Sequence, residues 1–591
     1  MRQYIENFRA PVPKIMFGGL DTLHSEVFTR DHMSPDLSNV DLRPVGGIRK
    51  RDGLSEPEHA TATPNSIPGT GDVHSLFALN SMTSSFLYAI RGSGIYATGS
   101  QTAQWTELTD VGFAVGGKGR CEQAFFVDEV ADSDVADEWV YQRACGYMVT
   151  GEDEPVLVFS STVPGEEGVP WPNGVYDDVS TVAKRGYPAR WKDATGLGTP
   201  DWPSGLFYAG DASLVTTPNN DASFTRMYAY GFDLDPDRID YSQLGVPYNM
   251  LHASVVASPA PDVVQDGGFF YAMRGDGDRV VGVRQLSDTL VVFKRHKTLL
   301  YTGVIGVNFG LTGVLPVGAV SDESIVLAGN DIYFWSDDGP RSLSGVMQYG
   351  SVQQYSISRD VRETVARVSS SSFDLIHGRY ETDFNRIVWH VGQAAGATID
   401  RCLVYYLPDF DNKEGRWAPW TGLYSQMAGV TLVAPNNSPG ISVFGATLDG
   451  RFFLMNAGTT DADENIAAHY VTRWMDFEVL SIDKRLLNIS VVYGSEGRGG
   501  VVIEHAADYG ELYKEVGHVL RFSGGNPAGS GLWDQAVWDD EDFYWDTTSN
   551  GVATYALENL GFIIRLKVSD DTSGGFSITG MALDVSYKGK V

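Results

Sequence analysis

"GNDIYFWSDDGPRSLSG", residues 329–345, places an aromatic, apolar run (Ile332–Trp335) before Asp338–Gly339 and a second short run after it. An Asp-Gly pair between apolar runs is a strong local hairpin signal, because both residues tolerate positive φ. The spacing therefore predicts strand, turn at Asp338–Gly339, strand. The same grammar recurs on either side. "SSFLYAIRGSGIYATG" (84–99) turns around Gly92 and Gly94, "DTLVVFKRHKTLLYTG" (288–303) flanks Lys294–Lys297 with apolar runs, and "SVFGATLDGRFFLMNAG" (442–458) repeats the turn at Asp449–Gly450. "NRIVWHVG" (385–392) and "RCLVYYLPDFDNKEGRWAPWTG" (401–422) continue the series. Spacing between these units is irregular, so no strict repeat array is defined.

Many short strands without interleaved helices imply an all-β sandwich, barrel or propeller. A region near 390 residues suits an irregular β-propeller. Three segments follow: an N-terminal arm and first strand (1–60), a β-propeller-like domain (61–460) with an acidic loop or insertion near 127–230, and a C-terminal β-sandwich (461–591). Strands expected in the last segment include "KRLLNISVVYG" (484–494), "GGVVIEHAAD" (499–508), "GFIIRLKVSD" (561–570) and "FSITGMALDVSYKG" (576–589). One helix is expected, "ISRDVRETVARV" (357–368), with Ile357, Val361, Val365 and Val368 on one face and Ser356 or Ser358 as N-cap.

Composition narrows the function classes. The 591 residues carry 44 basic and 75 acidic side chains, a net charge of −31. A chain that grips nucleic acid replaces counterions with Lys and Arg, so this one should repel DNA. Hydrophobic residues make up 43 %, enough for sizeable cores. Cys121, Cys145 and Cys402 define neither a disulfide framework nor a zinc spacing. Buried free thiols and synthesis in a reducing cytoplasm are expected. The N-terminal stretch has no apolar core of signal-peptide length, and no apolar run is long enough to span a membrane.

No stretch defines a reaction centre. "GFAVGGKG" (112–119) meets part of a phosphate-loop pattern, but Gly119 stands where Ser or Thr should hold magnesium, and a strand is expected to follow. In "DLDPD", Asp233, Asp235 and Asp237 alternate as in a calcium loop, yet Arg238 occupies the position that needs Gly. "DDEDFYWD" (539–546) could supply a glycosidase carboxylate pair, with Trp533, Trp538 and Trp545 stacking on sugar or docking a neighbouring subunit. His24, His32, His377 and His390 show no metal-ligand spacing. The basic clusters Arg49–Arg51, Lys294–Lys297 and Lys484–Arg485 read as solvated turns or inter-subunit salt-bridge donors. No catalytic, cofactor-binding or metal residue is assigned, and no cofactor is expected.

Four phrases carry a family resemblance. "SNVDLRPVGGIRKRDGL" (38–54) resembles the segment by which many structural proteins of tailed bacteriophages begin. "RIDYSQLGVPYN" (238–249) is similar to a Tyr-Ser-x-x-Gly-x-Pro phrase of the same proteins. It is followed, as there, by "VVGVRQLSDTLVVFKRHKTLLYTG" (280–303) and "AGNDIYFWSDDGPRSLSG" (328–345). Their order resembles the tail nozzle, or tail-hub, proteins of short-tailed phages. The acidic region near 127–230 departs from the pattern. The resemblance implies a structural virion protein: a homohexameric ring around the DNA channel, distal to portal and adaptor, carrying fibres or spikes. Such a ring retains the genome, lets DNA pass without specific binding, catalyses nothing, inserts in no membrane, and is assembled in the host cytoplasm. Acidic side chains facing the lumen would let DNA slide. The alternatives are a phage receptor-binding or glycan-degrading tail protein, a minor tail protein of a long-tailed phage, and a cellular propeller that binds proteins.

Overall fold

Seven antiparallel meanders follow one another from Val73 to Met455 in the computed structural model. It describes the chain except residues 1–13, 16, 27, 43–45, 58–65, 81–84, 99–104, 113–117, 131–138, 161–190, 192–194, 211–224, 243–266, 306, 350–355, 394–397, 409–414, 434–440, 478–481, 494–499, 510–517, 522–550 and 589–591. The molecule is mostly β, built as many small antiparallel sheets. Sheet 1 runs Val73–Asn80, Ser85–Arg91, Gly94–Thr98, Thr106–Gly112, and sheet 2 runs Arg120–Val130, Trp139–Val149, Val156–Ser160. Sheet 3 comprises Gly205–Gly210, Thr225–Tyr230, Arg238–Tyr241, Gly268–Tyr271, and sheet 4 Val280–Leu286, Thr289–Lys294, Thr298–Thr302, Gly310–Leu315. Sheet 5 is Val326–Ala328, Asp331–Ser336, Gly339–Ser342; sheet 6 is His377–Glu381, Arg386–Val391, Arg401–Tyr406, Arg416–Trp420. Sheet 7 begins Met427–Val433, Ser442–Thr447, Phe452–Met455.

The hairpins form where the apolar runs predict them, with one register correction. Ser336 pairs with Gly339, so the turn residues are Asp337 and Asp338, one position earlier than the Asp-Gly reading. Gly339, at φ 107°, opens the second strand instead. The predicted helix is shorter and mixed: a 3-10 turn, Arg359–Val361, runs into an α-turn, Arg362–Ala366. Val361, Val365 and Val368 are buried as expected and Ile357 packs beside them. Ser358 gives no cap bond, because its hydroxyl is engaged with that of Ser356 at 2.7 Å.

Two further sheets involve the C-terminal region. Sheet 8 is ordered Val40–Leu42, Ile48–Lys50, Ser577–Lys588, Asp483–Tyr493, Gly551–Gly561, with Lys14–Ile15 also on Ser577–Lys588. Sheet 9 is ordered Asp36–Ser38, Ala468–Val471, Ile564–Asp570, Gly500–Ala507, His518–Arg521. Alternate residues of Ile564–Asp570 are buried, the pattern of a strand with one face in a core. Leu486, Ile489, Val568 and Leu583 join one apolar cluster that reaches Trp335 and Trp389 of sheets 5 and 6.

The segment 36–55 is the seam between these parts. Four of its short strands enter three sheets: Asp36–Ser38 in sheet 9, Val40–Leu42 and Ile48–Lys50 in sheet 8, and Leu54–Ser55 in sheet 7 against Leu454 and Met455. Gly53 is required by contact: a Cβ there would lie 1.9 Å from the Thr460 carbonyl oxygen. Asn39, at φ 55°, lets the chain turn between two sheets, a conformation asparagine tolerates.

The basic run Arg49–Arg51 is not a solvated turn. The Arg51 guanidinium forks onto both Asp461 carboxylate oxygens at 2.8 and 2.6 Å and donates to the Thr421 carbonyl at 2.8 Å. Lys50 Nζ donates to Asp570 at 2.8 Å and to the Thr572 and Gly574 carbonyls. Arg49 bonds Asp41 at 2.6 Å and Asp52 at 2.7 Å. The correction has a physical reason: short strands bury little apolar surface, and charge-assisted, fork-like bonds fix their register. Lys484 is buried too, on the carbonyls of Ile482 and Phe562.

Next to the seam lies a buried ionic network. Arg386 Nε donates to Glu381 at 2.6 Å, Nη1 to Asp41 at 2.9 Å and Nη2 to Asn456 at 3.0 Å. Its plane sits over the Trp420 and Phe384 rings. Tyr406 donates to Asp41 at 2.5 Å, and Arg379 reaches the other oxygen of Glu381 at 2.8 Å. Burial works against ionising Asp41 and Glu381, but the guanidiniums outweigh it and hold both carboxyls below their ordinary range.

Candidate functional site

The first strands of sheets 1, 2, 6 and 7 and residues at the starts of sheets 4 and 5 line one cavity of about 540 Å³. Sheet 1 brings Ser75, sheet 2 Arg120 and Glu122, sheet 4 Arg284, and sheet 6 His377 and Arg379; Glu323 stands just ahead of sheet 5. Neighbouring first strands approach closely. A Cβ on Gly429 of sheet 7 would lie 2.7 Å from the Leu76 amide nitrogen, and Ser75 Oγ donates to the Gly119 carbonyl at 2.6 Å.

Charges around the wall pair with one another. Lys118 meets Glu323 at 2.7 Å and donates to the Asp374 carbonyl at 2.9 Å. Arg120 lies 3.6 Å from Glu122 and 3.3 Å from Asp322, which also takes Arg284 at 2.9 Å and the Tyr230 hydroxyl at 2.8 Å. Burial pushes Glu122 up despite Arg120, whereas Lys118 and His377 overcome burial and hold Glu323 down. Lys118, Arg120 and Arg284 thus balance Glu122, Asp322 and Glu323, so this wall does not concentrate the chain's acidic excess.

Beneath the wall, His377 and His390 are cross-strand partners with rings stacked at 4.7 Å and 9°. The sequence distance between them carries no ligand spacing, but both lie equally far from the Thr382–Asn385 turn, which is the signal that pairs them. His377 shares a hydrogen bond with the Leu375 carbonyl through Nδ1 at 3.0 Å, and Arg379 Nη1 lies 2.9 Å from His390 Nε2. Burial lowers His377 to about 4 and drives His390 well below its ordinary value. Both rings are neutral near pH 7, and an imidazole facing a guanidinium acts as acceptor.

The other sequence candidates resolve differently. Lys118 of the Gly-rich stretch is engaged by Glu323, and the strand Arg120–Val130 follows directly; residues 113–117 lie outside the described part. In "DLDPD", Asp237 accepts from Lys294 Nζ at 2.9 Å and from the Gly275 amide at 2.7 Å, and Asp235 accepts from Tyr271 at 3.1 Å. Lys294 is itself buried and also binds Asp276 at 2.7 Å, so its ammonium is the counter-charge of Asp237. Among the described residues no group of three His, Cys, Asp or Glu could hold a metal ion. Of "RIDYSQLGVPYN", Arg238–Ser242 are described: Arg238 lies over the Phe232 ring, Asp240 accepts from Trp191 Nε1 at 2.5 Å, and Ser242 Oγ accepts the Met227 amide. "DDEDFYWD" and Trp533, Trp538 and Trp545 lie outside the described residues.

Cys402 is a buried free thiol and Cys121, at the cavity, a half-buried one; the Cys145 side chain is outside the described part. Burial pushes the Cys402 thiol up to about 12. Its thiolate fraction at pH 8 is then roughly one in ten thousand. Iodoacetamide should modify Cys121 at least about a hundredfold faster than Cys402 in the folded protein. Peptide mapping after timed quenching checks this, and equal rates would contradict the buried placement of Cys402.

No protein-family model and no curated protein matches the chain. Among solved structures, a chain from a crystal structure of the mitotic checkpoint complex is similar at 10 % identity, over 68 % of this chain and 96 % of that chain, with a TM-score of 0.28. A score this low carries no argument about fold or function. No helix among the described residues is long and apolar enough to cross a membrane.

Proposed function

We propose that the chain is a structural virion protein of the phage tail-nozzle type, a β-propeller joined to a C-terminal β-sandwich. The propeller part is supported by seven consecutive meanders, by first strands and sheet starts that gather around one cavity, and by Leu54–Ser55 adding to the last meander. First strands of neighbouring sheets also pack side by side: that of sheet 7 on sheet 1, sheet 1 on sheet 2, sheet 2 on sheet 3, and sheet 3 on sheet 4. The observation that carries the functional reading is the seam. The phrase that resembles nozzle proteins, residues 38–54, rivets three sheets by buried ion pairs. Ties of this kind between sheets support a structural role.

On this reading about six copies ring the DNA channel, between an adaptor ring and attached fibres or spikes. The ring holds the packaged genome and lets it pass, without a reaction and without specific DNA binding. Imaging of intact particles with this chain tagged should place a ring of copies at the portal-distal end of the channel. A trimer at a fibre tip that releases reducing sugar from host polysaccharide would overturn the proposal.

A further inference from the structure

The outer strand of sheet 4 presents an apolar surface that the chain's own described residues leave uncovered. Gly310–Leu315 pairs with Thr298–Thr302 on one side and, among the described residues, with no strand on the other. Leu311 is 44 % and Val314 47 % exposed, and Val307, in the preceding loop, is 69 % exposed. The pairing shifts at Thr312, where one extra residue enters the strand. In a regular strand residues three apart point to opposite faces; the bulge puts Leu311 and Val314 on the same one.

Val304, Val307, Asn308 and Phe309 are tied together before any partner arrives. The Val304 carbonyl accepts from the amides of Val307, Asn308 and Phe309, and Asn308 Oδ1 accepts the Val304 amide at 2.8 Å. Phe309 packs on Phe270 and Tyr301 at centroid distances of 5.1 and 5.2 Å. An apolar side chain held out on an ordered loop loses little entropy on docking.

Charge selects the occupant. Residues 298–321 contain no Asp, Glu, Lys, Arg or His, in a chain of net charge −31. Two copies repel wherever their acidic surfaces approach within about 8 Å, the distance beyond which physiological salt screens them. An uncharged apolar strip lets them touch without confronting like charges. We infer that the face formed by Val307, Leu311 and Val314 is a contact surface for a second copy of this chain. The bulge interrupts the free backbone edge, so the contact is made by side chains rather than by strand addition. This rests on the ring reading and names one surface that would build the ring.

The test uses the full chain and a Val307→Asp/Val314→Glu double variant in sedimentation velocity across a concentration series. Near-UV circular dichroism monitors folding of both. The variant should need at least about tenfold more protein to assemble, with its spectrum unchanged. A photoreactive benzophenone residue replacing Leu311 gives a second readout that does not depend on that variant folding. It should yield a product of twice the chain mass; a product of single-chain mass, cross-linked internally, overturns the inference. If wild type assembles and the double variant assembles equally well, this surface is excluded and the ring reading stands. If wild type stays monomeric throughout, both fall.

Discussion

Replacing Arg386 with alanine will destabilise the folded chain by about 3–5 kcal/mol, the range for removing one partner of a buried ionic network. Arg386 is almost wholly buried and is held by Asp41, Glu381 and Asn456, so its removal takes a counter-charge from two buried carboxylates at once. Asp41 keeps Arg49 and Glu381 keeps Arg379, which limits the loss without restoring the tie between sheets 6 and 8. Arg386→Lys will recover only part, since an ammonium cannot fork to two carboxylates and stack between Phe384 and Trp420. Neutralising the partners as well, in Arg386→Met/Asp41→Asn/Glu381→Gln, should bring no recovery, because it takes the carboxylate from buried Arg379. The urea midpoint of each variant checks this order; an Arg386→Ala midpoint equal to wild type would refute it.

Acidification will destabilise the protein before Asp41 and Glu381 titrate. In the unfolded chain a histidine takes its proton near pH 6.5, while folded His377 resists until about 4. Between those values the unfolded state binds more protons, so stability falls as pH is lowered through that window and is fully present above it. His377 alone accounts for about 3 kcal/mol, and His390 acts in the same direction. Burial is the main cause. Glu323 pulls the His377 value back up, while Lys118 and Arg379 push it down. Asp41 and Glu381, whose folded values are depressed, lose their contribution only below the ordinary carboxylate range, so the two effects separate on the pH axis. Thermal midpoints from pH 7.5 to 4 should fall for wild type and flatten for His377→Gln and for His390→Gln, each compared with its own value at pH 7.5. Unchanged slopes in both variants would show that these rings are not the groups responsible.

The sheets were legible because local rules set them. Ile332–Trp335 and the runs flanking Lys294–Lys297 are apolar stretches bounded by turn residues, and each became a hairpin arm. The apolar stretches at 484–494 and 561–570 formed the strands Asp483–Tyr493 and Ile564–Asp570, the second with alternate residues buried. The seam was not legible. Arg51 finds Asp461, and Lys50 finds Asp570, across hundreds of residues that no periodicity connects. A run of three basic residues gives no sign of whether water or carboxylates await it. Short strands such as Asp36–Ser38 and Leu54–Ser55 carry too few residues for a pattern and exist only because a strand distant in sequence offers an edge. The cavity wall was hidden for the same reason, since Arg120, Arg284 and Glu323 meet only once separate meanders have come together.

The seam also sets a schedule for biosynthesis. Arg51 must wait for a partner 410 positions later, and Lys50 for one 520 positions later. At roughly 5–20 residues per second on the ribosome, that delay is on the order of twenty to a hundred seconds. For that interval the nascent chain carries two cationic side chains, Lys50 and Arg51, and several unsatisfied strand edges with no place to go. Synthesis of the segments that hold Asp461 and Asp570, rather than any early nucleus, becomes the event that locks residues 36–55, and a chaperone that shields that stretch during translation would raise the yield more than one acting after release.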